Sequence, residues 1–230
     1  MEIIRLTQRS LFVRQYQYLN TNFAIKIEKL KQIWLFNCHE GCQHLLARKK
    51  LKISQITKII ITELSIRNVS GLLGLLSSLS LSTKMSKLDI YGPPGLINYL
   101  IRGRRYSQTS FHYVISIYNI QTGLVVANDF CRLYAFSSTL YASCFQYIIL
   151  TSEKAGKFNL CKAISYQISA GPLYNKLKLG ATFVLPDGTV ISGTNFVYRY
   201  YLGYKIVFIS NHGKRQFCEV ESNSQVIICK

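Results

Sequence analysis

The feature that most constrains this fold is the alternation of short β-rich runs with helical stretches toward the N-terminal end. Phe23–Ile27 and Ile33–Phe36 read as strands. Glu40–Lys50 reads as a helix, with an acid near its positive end and lysines at its negative end. Ile59–Thr62 is a short buried strand, Val69–Leu81 an apolar helix rich in Gly and Ser, and Leu88–Tyr91 a further strand. Gly92-Pro93-Pro94-Gly95 then opens the next helix, since proline is tolerated in a first helical turn. Strands take over at His112–Ile117, Leu124–Val126, Cys131–Phe136 and Phe145–Leu150. Strand–helix alternation followed by strands predicts a layered α/β sandwich. Trp34, Phe36 and the Leu72–Leu81 stripe are expected in its core, and His112, opening an apolar strand, is expected to be structural.

Residues 152–200 break the pattern. Gly156, Gly171-Pro172, Gly180, Pro186-Asp187-Gly188 and Gly193 interleave with Lys154, Lys157, Lys162, Lys176 and Lys178. The segment reads as an excursion from the core with a small hairpin at Pro186-Asp187-Gly188, before the apolar strand Lys205–Ile209. Apolar runs such as Gly71–Leu81 fall short of the ~20 residues a membrane span needs, so a transmembrane protein is not expected.

The charge points to a polyanion. There are 28 Lys+Arg against 10 Asp+Glu, a formal charge of +18. An AT-rich coding bias, visible in 26 Ile and 17 Lys against 9 Ala, can raise lysine, but it leaves the scarcity of acids unexplained. Nucleic acid is the first candidate and an anionic membrane surface the second. Seven scattered cysteines, an odd number, suit free thiols in a reducing compartment. Arg5, Arg9 and Arg14 give the N-terminal residues the look of a transit peptide, whereas Glu2–Leu6 reads as a first strand. Cys38-His39-Glu40-Gly41-Cys42-Gln43-His44 packs two thiols and two imidazoles into seven residues. No second Cys/His pair accompanies it, so a structural reading outweighs a zinc site.

Three stretches resemble ribonuclease Z, the tRNA 3′-processing endonuclease of the metallo-β-lactamase fold. Trp34–Thr62 is similar to the family's strand, D-C-G-E-G-T-Q turn, helix and next strand. Gly71–Leu96 is similar to its G-L-P-G-L-L helix and Y-G-P-x-G turn. Gly171–Val197 is similar to the segment around the G-P motif of its flexible arm. The resemblance is collinear from about residue 2 to residue 213, which makes the N-terminal residues a core strand rather than a cleaved presequence. It implies a four-layer αββα sandwich, C-terminally shortened, with a protruding arm. Residues 1–151 and 201–230 would form the core, and 152–200 the tRNA-binding arm inserted in it.

The resemblance fails where the chemistry should be. The family's T-H-x-H-x-D-H loop supplies ligands for two zinc ions that activate a water against a phosphodiester. Here it reads Thr62-Glu63-Leu64-Ser65-Ile66-Arg67-Asn68, so Glu63, Ser65, Arg67 and Asn68 stand at the ligand positions. The next family histidine falls at Leu140, and the bridging aspartate at His212. Only Glu63 and His212 remain as candidate ligands, and the permanent cation of Arg67 repels a dication. The expectation is therefore no catalytic residue and no cofactor for this chain, although the family carries zinc.

What persists is the gripping apparatus. Gly171, Pro172, Tyr174, Lys176 and Lys178 stand at positions matching the arm that clamps tRNA in the family. Arg102, Arg104 and Arg105, followed by Tyr106, form a second basic group that reads equally as an RNA contact or as an ordinary basic helix end. The expected partners are a tRNA precursor and a second subunit, as a homodimer or a heterodimer with an active ribonuclease Z. The enzyme-class alternative is an active zinc phosphodiesterase with a rearranged site. Composition, free cysteines and the absence of a presequence suggest an organelle-encoded protein of a plastid, the cytoplasm being the alternative.

Overall fold

The computed structural model describes residues 1–6, 12–13, 16–19, 22–82, 87–138, 141–153, 156–185, 187–198, 203–210 and 224–229. They fall into two compact units. The first comprises Met1–Asn128, Arg132–Ile149 and Lys205–Lys230, the second Asp129–Cys131 and Leu150–Tyr204.

The chain opens with strands β1 (Glu2–Arg5), β2 (Phe12–Val13), β3 (Tyr16–Leu19), β4 (Phe23–Ile27) and β5 (Gln32–Phe36). Helix α1 (Cys42–Arg48), β6 (Ile56–Ile60), helices α2 (Ile66–Val69) and α3 (Leu72–Leu81), β7 (Lys87–Gly92) and α4 (Leu96–Ser107) follow. Next come β8 (Val114–Asn119), β9 (Gly123–Asn128), β10 (Cys131–Ser138) and β11 (Tyr141–Thr151). Then come β12 (Lys157–Phe158), α5 (Leu160–Ser165), α6 (Pro172–Lys178), β13 (Thr182–Val184), β14 (Val190–Ser192) and β15 (Val197–Tyr198). The chain closes with β16 (Lys205–Ser210) and β17 (Ser224–Cys229).

Two sheets carry the first unit, one ordered β1-β4-β5-β6-β7-β8 and the other β2-β3-β17-β16-β11-β10-β9. Strands β5 to β8 run parallel, and each parallel step is spanned by helix, as parallel pairing requires a crossover. Successive residues of a strand face opposite sides, and the central strands β4 and β5 are buried on both sides. Ala24, Ile33, Leu35, Ile59, Leu88 and Ile90 pack with Leu46 of α1, Val69 of α2, Leu96 and Leu100 of α4, and α3. From α3 come Leu72, Leu75, Leu76 and Leu79, the spacing of one helical face. The intervening residues build an aromatic cluster. Phe23 stacks on Phe36 and on Phe208 of β16, both at 4.6 Å, and Tyr147 of β11 meets Phe36 edge-on at 5.8 Å. Since β11 and β16 belong to the seven-stranded sheet, this cluster fills the space between the sheets. The layers seen here are thus helix, sheet, sheet, as the α/β reading requires.

Three local expectations are revised. The apolar stretch Val69–Leu81 is two helices rather than one, parted at Gly71, whose N–H donates to the Cys38 carbonyl at 3.0 Å. A Cβ on Gly71 would collide with the carbonyl oxygen of His39, so only glycine fits this approach. The strand expected at Ile59–Thr62 runs Ile56–Ile60, because the Thr62 N–H is taken by a side chain, Asn37 Oδ1, at 2.8 Å. His112 is exposed and precedes β8, where its N–H donates to Ser80 Oγ at 3.1 Å.

The second unit has a core of its own. Ala163, Ile168, Leu177, Ile191 and Phe196 are buried together, with Phe158, Tyr174, Phe183 and Leu185 packed against them. Strands β13 and β14 form an antiparallel hairpin. Its turn is closed by Thr189 N–H donating to Asp187 Oδ1 at 3.0 Å, which holds that carboxyl below its ordinary range. No helix among the described residues is long and apolar enough to cross a membrane.

Candidate functional site

The loop between β6 and α3 is held from several sides. The Ile61 N–H donates to the Tyr91 carbonyl at 2.8 Å, and the Tyr147 hydroxyl donates to the Ile61 carbonyl at 3.2 Å. Burial pushes the Tyr147 phenol well above its ordinary range. Asn37, fully buried and left-handed at φ 56°, offers one oxygen to both the N–H and the hydroxyl of Thr62, at 2.8 and 3.1 Å. The Cys38 N–H donates to the Asn68 carbonyl at 2.7 Å, stitching the turn after β5 to α2.

The structure places Glu63, Ser65, Arg67 and Asn68 on this loop and on α2. Asn68 is buried and its amide donates to Glu63 Oε1 at 3.2 Å and to Thr62 Oγ1 at 3.4 Å. Ser65 precedes α2 without capping it through its side chain, and its hydroxyl is buried. Arg67 is exposed. Leu140 and His212 lie outside the described residues. This donor set does not fit zinc. One carboxylate already engaged by an amide, one serine hydroxyl and a guanidinium do not replace the imidazoles and carboxylates that offset dehydration of the ion. Among the described residues no group of three or more His, Cys, Asp or Glu side chains is placed to hold an ion.

The basic positions fall on two helices, α6 and α4. On α6, Gly171 is the N-cap and Pro172 the first helical residue. Tyr174 is half-buried, donating its hydroxyl to the Ile168 carbonyl at 2.9 Å while its ring lies 4.9 Å from Phe158. Lys176 is exposed and Lys178 half-exposed, on the turns flanking buried Leu177. On α4, Arg102, Arg104 and Arg105 are exposed and Tyr106 is 86% exposed. Arg104 is already engaged: its Nε donates to the Thr109 carbonyl at 3.3 Å and its guanidinium lies 5.9 Å from the Phe111 ring. Ile101, Arg104, Arg105, Gln108 and Thr109 line an open groove of about 410 Å³.

Asn37 is the residue that sequence reading passed over. Its signal is an asparagine directly after a strand, a residue that tolerates the left-handed conformation and can bond its neighbours' backbone.

No family model matches the chain. It is 41% identical to the ycf56 protein of Pyropia yezoensis, over 81% of this chain and 71% of that one. It is 39% identical to ycf56 of Porphyra purpurea, over 90% and 78%. The ribonuclease Z of Acaryochloris marina is 39% identical over 83% of this chain and 61% of its own length. The chain belongs to the ribonuclease Z family. It spans about three fifths of the length of the ribonuclease Z relatives it matches. Among solved structures, the short form of human tRNase Z aligns with a TM-score of 0.54 and 24% identity, covering 66% of this chain and 65% of that one. A long form RNase Z from yeast aligns with a TM-score of 0.59 and 11% identity, over 99% of this chain and 32% of that one. The metallo-β-lactamase fold protein YhfI from Bacillus subtilis aligns with a TM-score of 0.53 and 9% identity, over 98% of this chain and 69% of that one. The fold class inferred from sequence is therefore the observed one, the metallo-β-lactamase fold.

Proposed function

We propose that this ribonuclease Z family member grips tRNA precursors without cutting them, as the catalytically inert half of a homodimer or of a heterodimer with an active ribonuclease Z. The observation that carries the reading is the loop after β6. Its one carboxylate, Glu63, is bonded to Asn68, and Arg67 stands two residues beyond Ser65. No step of zinc hydrolysis is assigned to such residues. Against that loss, the second unit is built around its own core and presents Lys176 and Lys178 on the segment that matches the family's arm. We assign tRNA contact to Gly171, Pro172, Tyr174, Lys176 and Lys178, with Arg102, Arg104 and Arg105 as a second basic group. A plastid location is part of this reading, supported by the likeness to the two ycf56 proteins and by the AT-type composition.

The test is a filter-binding titration of a 3′-extended tRNA against unstructured RNA of equal length at two salt concentrations. Arm contacts predict a preference for tRNA that survives high salt, whereas bulk charge predicts none. Equal binding of the two RNAs sinks the proposal. The active-enzyme reading is favoured by the identity to ribonuclease Z over most of the chain and by the survival of Glu63. Metal analysis joined to a cleavage assay decides between them: stoichiometric zinc with chelator-sensitive cleavage establishes the enzyme.

A further inference from the structure

Cys38 follows β5, and Cys42 begins α1. Between them the chain turns back through Gly41 at φ 73°, and the Cys42 N–H donates to the His39 carbonyl at 3.2 Å. Both side chains are fully buried in the same core cluster, among Leu46, Val69 and Leu72. Both are free thiols, and their sulfurs are hydrogen-bonded to each other. From this geometry we infer that Cys38 and Cys42 are a dithiol modification site, closed to a disulfide by hydrogen peroxide and reopened by a dithiol. The inference is independent of RNA binding and of zinc.

The two sulfurs play different parts. The hydrogen bond to Cys42, then burial, holds the Cys38 proton on. The bond from Cys38, then the adjacent His39 side chain, favours the Cys42 thiolate against its own burial. Cys42 is thus the attacking sulfur and Cys38 the resolving one. The Cys42 thiolate attacks one peroxide oxygen, the O–O bond breaks, and the departing hydroxide takes up the proton Cys42 gave up, leaving water and a Cys42 sulfenic acid. The Cys38 sulfur then attacks the Cys42 sulfur, the S–O bond breaks, and the leaving oxygen carries off the Cys38 proton as a second water. Two thiols and one peroxide become one disulfide and two waters, the sulfurs losing the two electrons that the peroxide gains. The size of peroxide, close to that of water, suits a pair with no exposed surface.

The experiment treats the full chain with peroxide, blocks remaining thiols after denaturation, and maps the tryptic peptide Gln32–Arg48, which contains both cysteines and no other. The expected peptide has lost two hydrogens, resists blocking, and becomes blockable after dithiothreitol. Cys161, exposed on α5, serves as the internal reference for oxidation. Both thiols of Gln32–Arg48 blocked while Cys161 is oxidised would overturn the inference. Separately, C38S is expected to trap a dimedone adduct at Cys42 at least about tenfold more than C42S traps one at Cys38. The reverse ratio overturns the assignment of attacking and resolving sulfur, and peptide mapping of the unaltered chain tests the pair if either variant fails to fold.

Discussion

Asn37 shows how much one side chain can carry. It accepts two hydrogen bonds from Thr62 while its backbone sits in the left-handed region. Asn37→Ala leaves those donors unmet and keeps the strained backbone, so urea denaturation should show a loss of about 2–4 kcal/mol. Asn37→Gly should recover the backbone share alone. Tyr147 makes the second prediction. Its phenol has a raised pKa in the fold, so its contribution is complete below about pH 10, the unfolded value, and is lost as pH climbs from there toward the folded value. Burial lifts Tyr91 in the same direction, to about 12. Thermal melts from pH 8 to 11 should therefore fall above pH 10, and Tyr147→Phe should shallow that fall by up to about 1.4 kcal/mol per pH unit. At this scale the sequence disclosed which residue types occupy Glu63, Ser65, Arg67 and Asn68. That the Asn68 amide faces the Glu63 carboxylate depends on rotamers set by the packed loop, which no spacing encodes.

At the level of elements, hydrophobic period was a sound guide. The Leu72, Leu75, Leu76 and Leu79 stripe is buried because one helical face meets the sheet. Period says nothing of interruptions, and the break at Gly71 arises from a backbone contact with the turn after β5. Gly71→Ala should cost about 3 kcal/mol, read as a drop in melting temperature, since the clash is with backbone that cannot swing aside. The second unit offers a parallel case. Phe196 is 1% exposed in its small core. Phe196→Ala should remove about 3–5 kcal/mol and abolish hydrogen-exchange protection in 156–198 while β4 to β7 of the first unit keep theirs. Should Lys176 and Lys178 need that core to be presented, the same variant should also lose its preference for tRNA.

For the whole molecule, the charge of +18 dictates how any RNA affinity will respond to salt. Log affinity should fall linearly with log salt concentration, and the double variant K176A/K178A should shallow the slope by roughly 0.7–0.9 per phosphate contact removed. An unchanged slope would place those lysines in bulk solvent. The amino-acid sequence alone determined the layered α/β class, the family and the residue types of the loop after β6, because these are properties of residue identity, order and period along the chain. The tertiary structure alone decided which groups meet: Asn68 with Glu63, Asn37 with Thr62, and the two thiols Cys38 and Cys42 in one buried cluster. Such pairings depend on the angles at which strand, turn and helix are packed, and those angles are a property of the whole core.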